Sequence, residues 1–324
     1  MKKALVTGGA GFIGSHLCER LIQLDYMVFC VDNLYSGSLQ NIKHLMNNPN
    51  FVFINSDLCQ ISDFDVQEIY NLACPASPVR YQTNPLFTIH TSVQGSIKMA
   101  ALAQTLKAKL FHASTSEIYG EPKVHPQPET YLGNVNPCGP RACYDEGKRI
   151  AESILFIYYH QLPFPLKIGR IFNTYGPKMH PEDGRVISNF VNQAIRGVPL
   201  TVYGDGSQTR SFCYVSDLVD AILLFMGSSE EVTGPINLGN PAEYTILEVA
   251  KLIIELTGSQ SKIEYCPLPV DDPTKRRPDI SLAKRVLHWE PKITLVEGLK
   301  HTIEYYRKLE GAGSLQTPAV TSAT

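Results

Sequence analysis

A chain of 324 residues, 44% of them hydrophobic, has the length and apolar content for one large domain or two intimately joined ones. Its net charge is -2, and its richest basic run, Lys275-Arg276-Arg277, stops at Pro278, which argues against bulk binding to nucleic acid or to a membrane surface. The eight cysteines (Cys18, Cys30, Cys59, Cys74, Cys138, Cys143, Cys213 and Cys266) show no Cys-x-x-Cys or other metal-ligand spacing, and no apolar run nears the roughly 18 residues of a membrane span, so a cytoplasmic, soluble protein with reduced thiols and no metal site is expected.

The first strand, Lys3 to Thr7, runs into Gly8-Gly9-Ala10-Gly11-Phe12-Ile13-Gly14, and Leu17, Leu21 and Leu24 then follow at helical spacing. Glycines at 8, 11 and 14 allow a tight turn, close approach to a pyrophosphate and packing of the helix on the sheet, while the free N–H groups of the helix start attract phosphates. A second strand, Met27 to Val31, ends on Asp32, where a carboxylate can hydrogen-bond the ribose hydroxyls and would repel a 2'-phosphate. The expected cofactor is therefore NAD.

Strand signals recur at Phe51 to Asn55, Ile69 to Ala73, Lys109 to Ser114 and Leu166 to Ile171, with helical stretches between most of them. This alternation predicts an α/β fold, a Rossmann-type doubly wound parallel sheet with ligands beyond the carboxyl ends of its strands. The residues just after these strands are polar or turn-forming: Asp57-Leu58, Cys74-Pro75, Thr115-Ser116-Glu117 and Asn173. Asp57 reads equally well as a contact to the adenine edge and as an ordinary turn residue. A long helix over Pro85 to Leu106 and a second running from Tyr144 through Tyr158 carry apolar residues on more than one flank. Burial on the sheet accounts for part of that surface, and a homodimer through the 85–106 and 140–160 helices would use the excess.

Tyr144 and Lys148 stand four residues apart on that second helix and so project from one face. A free phenol titrates near pH 10, and a neighbouring ammonium favours the phenolate, which makes the pair a candidate base. After Asn173-Thr174-Tyr175-Gly176-Pro177 the alternation breaks down. A helix over Tyr214 to Gly227 and a strand over Pro235 to Gly239 return to the main sheet, Thr245 to Thr257 is amphipathic, and Trp289-Glu290-Pro291 with Leu299 to Tyr306 closes a second lobe. The expected division is a dinucleotide domain at 1–173 joined by 214–239, a smaller C-terminal α/β substrate lobe at 174–213 and 240–310, and a disordered tail at 311–324.

Taken together, the glycine turn, Asn71-Leu72-Ala73, Thr115-Ser116-Glu117 and Tyr144-x-x-x-Lys148 resemble the extended short-chain dehydrogenase/reductase family of nucleotide-sugar enzymes. The blocks Ala113–Gly120, Asn136–Arg149, Asp183–Phe190 and Gln208–Phe212 are similar to the branch of that family that decarboxylates UDP-glucuronate to UDP-xylose, and the likeness covers residues 1 to about 309. Ser92, where the family usually has asparagine, and Cys74 and Cys138 depart from its pattern.

The resemblance implies cofactor contacts from Gly8, Gly11, Phe12, Ile13, Gly14, Asp32 and Asn33, with Asp57, Leu58 and Leu72 on the adenine side. It implies that Tyr144 takes the proton of the sugar O4 as hydride leaves C4, that Lys148 holds the nicotinamide ribose and lowers the tyrosine pKa, and that the Thr115 hydroxyl binds O4. It further implies that Glu117, oriented by Ser116, and Arg276 work at the carboxyl end of the sugar. Asn173 would bridge the diphosphate, Arg185, Val186 and Phe190 would meet the uridine, and Tyr203 and Arg210 would close over base and phosphates. A 4,6-dehydratase needs an acid at position 116 to protonate the departing hydroxyl, and a serine is far too weak for that. A 4-epimerase has no use for a carboxylate at 117 or an arginine at 276. Release of the 4-keto pentose with NADH, another nucleotide-sugar 4-epimerase or dehydratase of the same family, and an NAD-binding scaffold without chemistry are the alternatives.

Overall fold

Residues 1–61 and 64–311 are described by the structure, a computed structural model. Its centre is a parallel sheet of seven strands: β1 (Lys3–Thr7), β2 (Met27–Asp32), β3 (Phe51–Asn55), β4 (Glu68–Asn71), β5 (Lys109–Thr115), β6 (Leu166–Ile171) and the strand Ile236–Leu238. Across the sheet they run Ile236–Leu238, β6, β5, β4, β1, β2, β3. The chain builds outward from β1 through β2 to β3, then crosses back to place β4 on the other side of β1. That reversal opens a crevice at the carboxyl ends of β1 and β4, which is where an open parallel sheet binds its ligands.

Alternation along each strand decides what covers each face, because successive side chains point to opposite sides. From β1, Ala4 and Val6 join Leu17 and Leu21 of the helix Phe12–Gln23 and Leu218 and Ile222 of Val215–Gly227. Leu5 points the other way, into a cluster with Met99 and Ala103 of the helix Pro85–Leu106 and Leu155 of Ala142–Gln161. The fold is thus the doubly wound one expected, and Ile236–Leu238 pairs with β6 to complete it.

A second apolar cluster forms the smaller lobe, with Phe190 and Val191 of the helix Val186–Arg196, Val249 and Ile253 of Ile246–Thr257, and Leu299, Ile303 and Tyr306 of Leu295–Gly311. Thr245 and Glu248 start the middle helix with a reciprocal capping box. Thr209–Ser211 lies between Glu243–Thr245 and Lys275–Arg276, and this small sheet carries Arg210 and Arg276. One expected lobe residue packs elsewhere: Trp289, with Ile280, Ala283 and Leu287, joins the cluster of the main sheet, and its indole N–H donates to the Asp217 carbonyl at 3.1 Å. The tail was expected from 311, but Gly311 still belongs to the last helix; the rest of it, 312–324, lies outside the described residues.

Candidate active site

Beyond the strand ends, between sheet and lobe, lies a cleft of about 790 Å³. Its floor is the glycine turn. Gly8 has φ +70°, and a Cβ there would sit 2.9 Å from the Ala73 backbone, so β1 and β4 approach as closely as they do only because that side chain is missing. A Cβ on Gly14 would lie 2.1 Å from the Gly8 carbonyl. Gly11 caps the helix Phe12–Gln23 without a side-chain bond, leaving the first-turn N–H groups of Phe12, Ile13 and Gly14 turned toward the cleft they line. Asp32, 8% exposed, accepts from Ala10 N–H at 3.0 Å and Leu34 N–H at 2.8 Å, and burial raises its pKa against those bonds.

Asn33, Leu58 and Leu72 also line the cleft, and Asp57 does not. The Asp57 carboxylate accepts from the Asn33 amide at 3.0 Å and from Cys59 N–H at 2.8 Å, so of the two readings left open the turn residue is the one its contacts support. It steadies Asn33 from behind.

Thr115 ends β5 and Tyr144 stands in the first turn of Ala142–Gln161, and both reach the cleft wall. The Tyr144 ring stacks on Tyr81, centroids 5.1 Å apart and nearly coplanar. Burial pushes the Tyr144 hydroxyl well above its ordinary pKa and the Cys74 thiol adds to that, opposed by the Thr115 hydroxyl and the Arg185 charge. Lys148, expected to draw that pKa down, instead donates to the Ala113 carbonyl at 2.7 Å, and burial lowers its own pKa. Two departures from the family pattern meet here: the Ser92 hydroxyl and the Cys74 sulfur are 3.3 Å apart, and the thiol also reaches the Pro75 carbonyl at 3.5 Å.

Glu117 is the anionic end of the cleft. Its carboxylate accepts from Arg141 and, at 3.4 Å, from Arg276, while the Thr115 hydroxyl accepts from its backbone N–H at 3.2 Å. Burial alone would raise its pKa, but Arg276, Arg141 and Arg210 hold it at about 2. The arginines, rather than the Ser116 hydroxyl, orient it; among the described residues no side-chain bond joins Ser116 to Glu117. Arg276 corrects the expectation set for it, since it does not line the cleft. It lies 1% exposed behind the turn, donating to the carbonyls of Ser116 and, at 2.9 Å, Gly120. A guanidinium fits there because its planar fork reaches two carbonyls and a carboxylate at once.

Asp145, buried next to Glu117, is pushed up to about 8 by burial and then by the Glu117 charge, against the pull of Arg141 and Arg276. A folded-state pKa above the unfolded value means the native protein holds a proton that the unfolded chain releases. The associated stability is complete below the ordinary carboxyl pKa and is lost as pH rises through 8. Asp145→Asn is expected to flatten the fall in urea midpoint between pH 6 and 9, and an unchanged slope would refute the assignment.

On the lobe side, Asn173, Arg185, Val186, Phe190, Tyr203 and Arg210 all border the cleft. Arg185 pairs with Asp183, Nη2 to Oδ2 at 2.9 Å, and caps Val186–Arg196. Phe190 is 2% exposed, its ring mostly given to the lobe core, whereas Tyr203 is 42% exposed at the rim. Arg210 donates to Asp272 at 2.9 Å, and Asp272 also lies 3.6 Å from Arg141, so one carboxylate ties the 269–273 segment to both arginines. Among the described residues no group of acidic, histidine and cysteine side chains is arranged to hold a metal.

Tyr81, Arg141, Asp145 and Asp272 were not among the expected site residues. Arg141 was within reach of the sequence, since three residues before Tyr144 on a helix is the same face. Tyr81 was not: its helix, Pro78–Thr83, is six residues long and begins among prolines that read as a turn.

The chain is similar to known proteins along most of its length. The family model described as GDP-mannose 4,6 dehydratase matches residues 5–302. UDP-glucuronic acid decarboxylase 1 of Danio rerio is 51% identical over 310 residues, covering 95% of this chain and 74% of its own. UDP-glucuronic acid decarboxylase 4 of Arabidopsis thaliana is 50% identical, covering 99% of this chain and 72% of its own. Among solved structures, UDP-glucuronic acid 4-epimerase from Bacillus cereus, in complex with UDP-glucuronic acid and NAD, superposes with a TM-score of 0.85 at 27% identity, covering 95% of this chain and 99% of that one.

Proposed function

Because the chain belongs to the extended short-chain dehydrogenase/reductases matched by that family model, we propose that it decarboxylates UDP-glucuronate to UDP-xylose through a UDP-4-keto intermediate. The observation that carries this reading is one cleft wall bearing Thr115, Tyr144 and Lys148 beside a Glu117 carboxylate paired with Arg141 and Arg276, over a glycine turn with no room for side chains.

The turn fits NAD: Gly8 and Gly14 leave the space a Cβ would fill, the N–H groups of Phe12 and Ile13 suit the pyrophosphate, and Asp32 suits the ribose and disfavours a 2'-phosphate. NAD bound there supplies the acceptor for the C4 hydride and later returns that hydride. Tyr144 takes the O4 proton, the Thr115 hydroxyl holds O4, and Lys148 steadies the nicotinamide ribose. With C4 a ketone, the carboxyl group lies β to it and leaves as carbon dioxide, its bonding pair passing into an enolate that accepts a proton at C5. Glu117 borders the carboxyl end. Arg276 serves it from behind, as a positioning residue. Asn173, Arg185, Val186, Phe190, Tyr203 and Arg210 take the uridine diphosphate, Arg210 because paired donors suit phosphate oxygens.

The family model's description does not decide the chemistry, since Ser116 offers no acid for dehydration. Incubation with UDP-glucuronate, following carbon dioxide, NADH absorbance and the product mass, is the test. UDP-xylose with no net NADH is expected; a 4-keto pentose with stoichiometric NADH marks the releasing variant, and no carbon dioxide removes the proposal.

The cofactor side comprises 1–173 and 214–239, and the sugar side 174–213 and 240–310, with 280–289 given to the former by its packing. A homodimer is proposed through the 85–106 and 140–160 helices, where Leu86, Ile150 and Ile157 are exposed; a monomer mass in light scattering would exclude it. No helix among the described residues is long and apolar enough to cross a membrane. All eight cysteines are free, which fits the reducing cytoplasm.

A further inference from the structure

Besides the Ser77 hydroxyl, two buried donors on the cleft wall, both next to Tyr144, have no acceptor among the described residues. One is the Tyr81 hydroxyl, on a side chain 1% exposed; the other is Nε of Arg141, whose side chain is 13% exposed. Both residues line the cleft, and both adjoin Tyr144: Tyr81 through the stacked rings, Arg141 as the cap of the helix that carries it. The charged groups near the Tyr81 hydroxyl are Arg141, Glu117, Asp145 and the Cys143 thiol, so it lies in the neighbourhood of the same corner. Buried donors are ordinarily paired, and two unpaired ones converging on one place call for an acceptor.

The charge of the corner says which kind. Arg141, Arg210 and Arg276 surround Glu117 and Asp272. Asp145, 3.9 Å from Arg141 Nε and so beyond hydrogen-bond reach, is the third acid of the corner, and burial with the Glu117 charge raises its pKa to about 8. The two unpaired groups are both donors, one of them a guanidinium, and with Asp145 holding its proton three guanidiniums face two carboxylates, which suits one further anion. Burial also raises the Tyr81 pKa, so its hydroxyl stays a donor throughout the working range.

We propose that Arg141 and Tyr81 form the subsite for the carboxylate of the sugar, and are the residues by which the cleft selects a uronic acid over a neutral sugar. This rests on the functional reading above and adds to it the groups that determine specificity. Arg276, behind the turn, keeps Glu117 from competing for the place, and Arg141 spans Glu117 and the incoming carboxylate with separate nitrogens of one fork.

The test is calorimetric titration of the NAD-loaded protein in a Tyr144→Phe background, so that bound UDP-glucuronate is not consumed. UDP-glucose, with a hydroxymethyl group in place of the carboxylate, is the comparison ligand. Adding Tyr81→Phe, which keeps the ring stack, is expected to weaken UDP-glucuronate by about tenfold, and Arg141→Lys by about thirtyfold, as each loses a charge-assisted bond. UDP-glucose affinity should move less than twofold. If the parent prefers UDP-glucuronate and both variants keep that preference, or lose both ligands equally, the subsite is wrong while the function stands. If the parent shows no preference, the functional reading falls and this one with it.

Discussion

Tyr144→Phe is expected to lower the turnover of UDP-glucuronate by about a thousandfold, within the range a positioned general base contributes. The substitution removes one oxygen and keeps the ring that stacks on Tyr81, so fold and ligand affinity should be retained. That separation makes the variant informative. Carbon dioxide release and UDP-xylose formation should fall together while calorimetry still detects UDP-glucuronate binding. Equal turnover by the variant and the native protein would remove Tyr144 from the chemistry and revive a binding scaffold. Thr115→Val should fall less steeply, because it takes a hydroxyl from beside the phenol without taking the base.

Arg276→Ala should be the most destabilising single change in the cleft region, by about 3–5 kcal/mol, the cost of breaking a buried ion pair from one side. It strands the carbonyls of Ser116 and Gly120 and removes the largest influence holding Glu117 ionised. The pH dependence has a definite sign. Glu117, at about 2 in the native protein against an ordinary value of 4.5, contributes stability that is present above 4.5 and is lost as pH falls through 2. Without Arg276 the Glu117 pKa should climb, and acid unfolding should begin at higher pH. Urea midpoints at pH 3, 4.5 and 7 measure both effects; a loss under 1 kcal/mol at pH 7 would mean that Arg276 is not the support described. Activity should fall as well, through Glu117, with a larger effect on kcat than on KM.

These expectations for Arg276 differ from the sequence reading, and the reason is spatial. Lys275–Arg276 is a two-residue strand whose partner, Thr209–Ser211, is more than 60 residues away in the chain. Nothing near position 276 in the sequence says whether its guanidinium faces the cleft or the back of the Ser116–Gly120 turn. Lys148 repeats the point at shorter range. Helical spacing put it on the face of Tyr144, but spacing could not show that the end of β5 offers the Ala113 carbonyl as its acceptor. Trp289 joined the main cluster because Asp217, on a helix of that sheet, takes its indole N–H.

The local grammar of the chain was enough for the doubly wound sheet, the glycine turn, Asp32, the shared face of Tyr144 and Lys148 and the amphipathic helices of the lobe. Each depends on periodicities and turn chemistry that operate within about twenty residues. Folding alone decided which charges share the buried corner around Glu117. Arg141 with Asp145, Arg210, and Asp272 with Arg276 come from three separate stretches of the chain, and in a buried setting the ionisation of each depends on the others. Such coupling belongs to distances between side chains, and those exist only once the lobe has closed on the sheet.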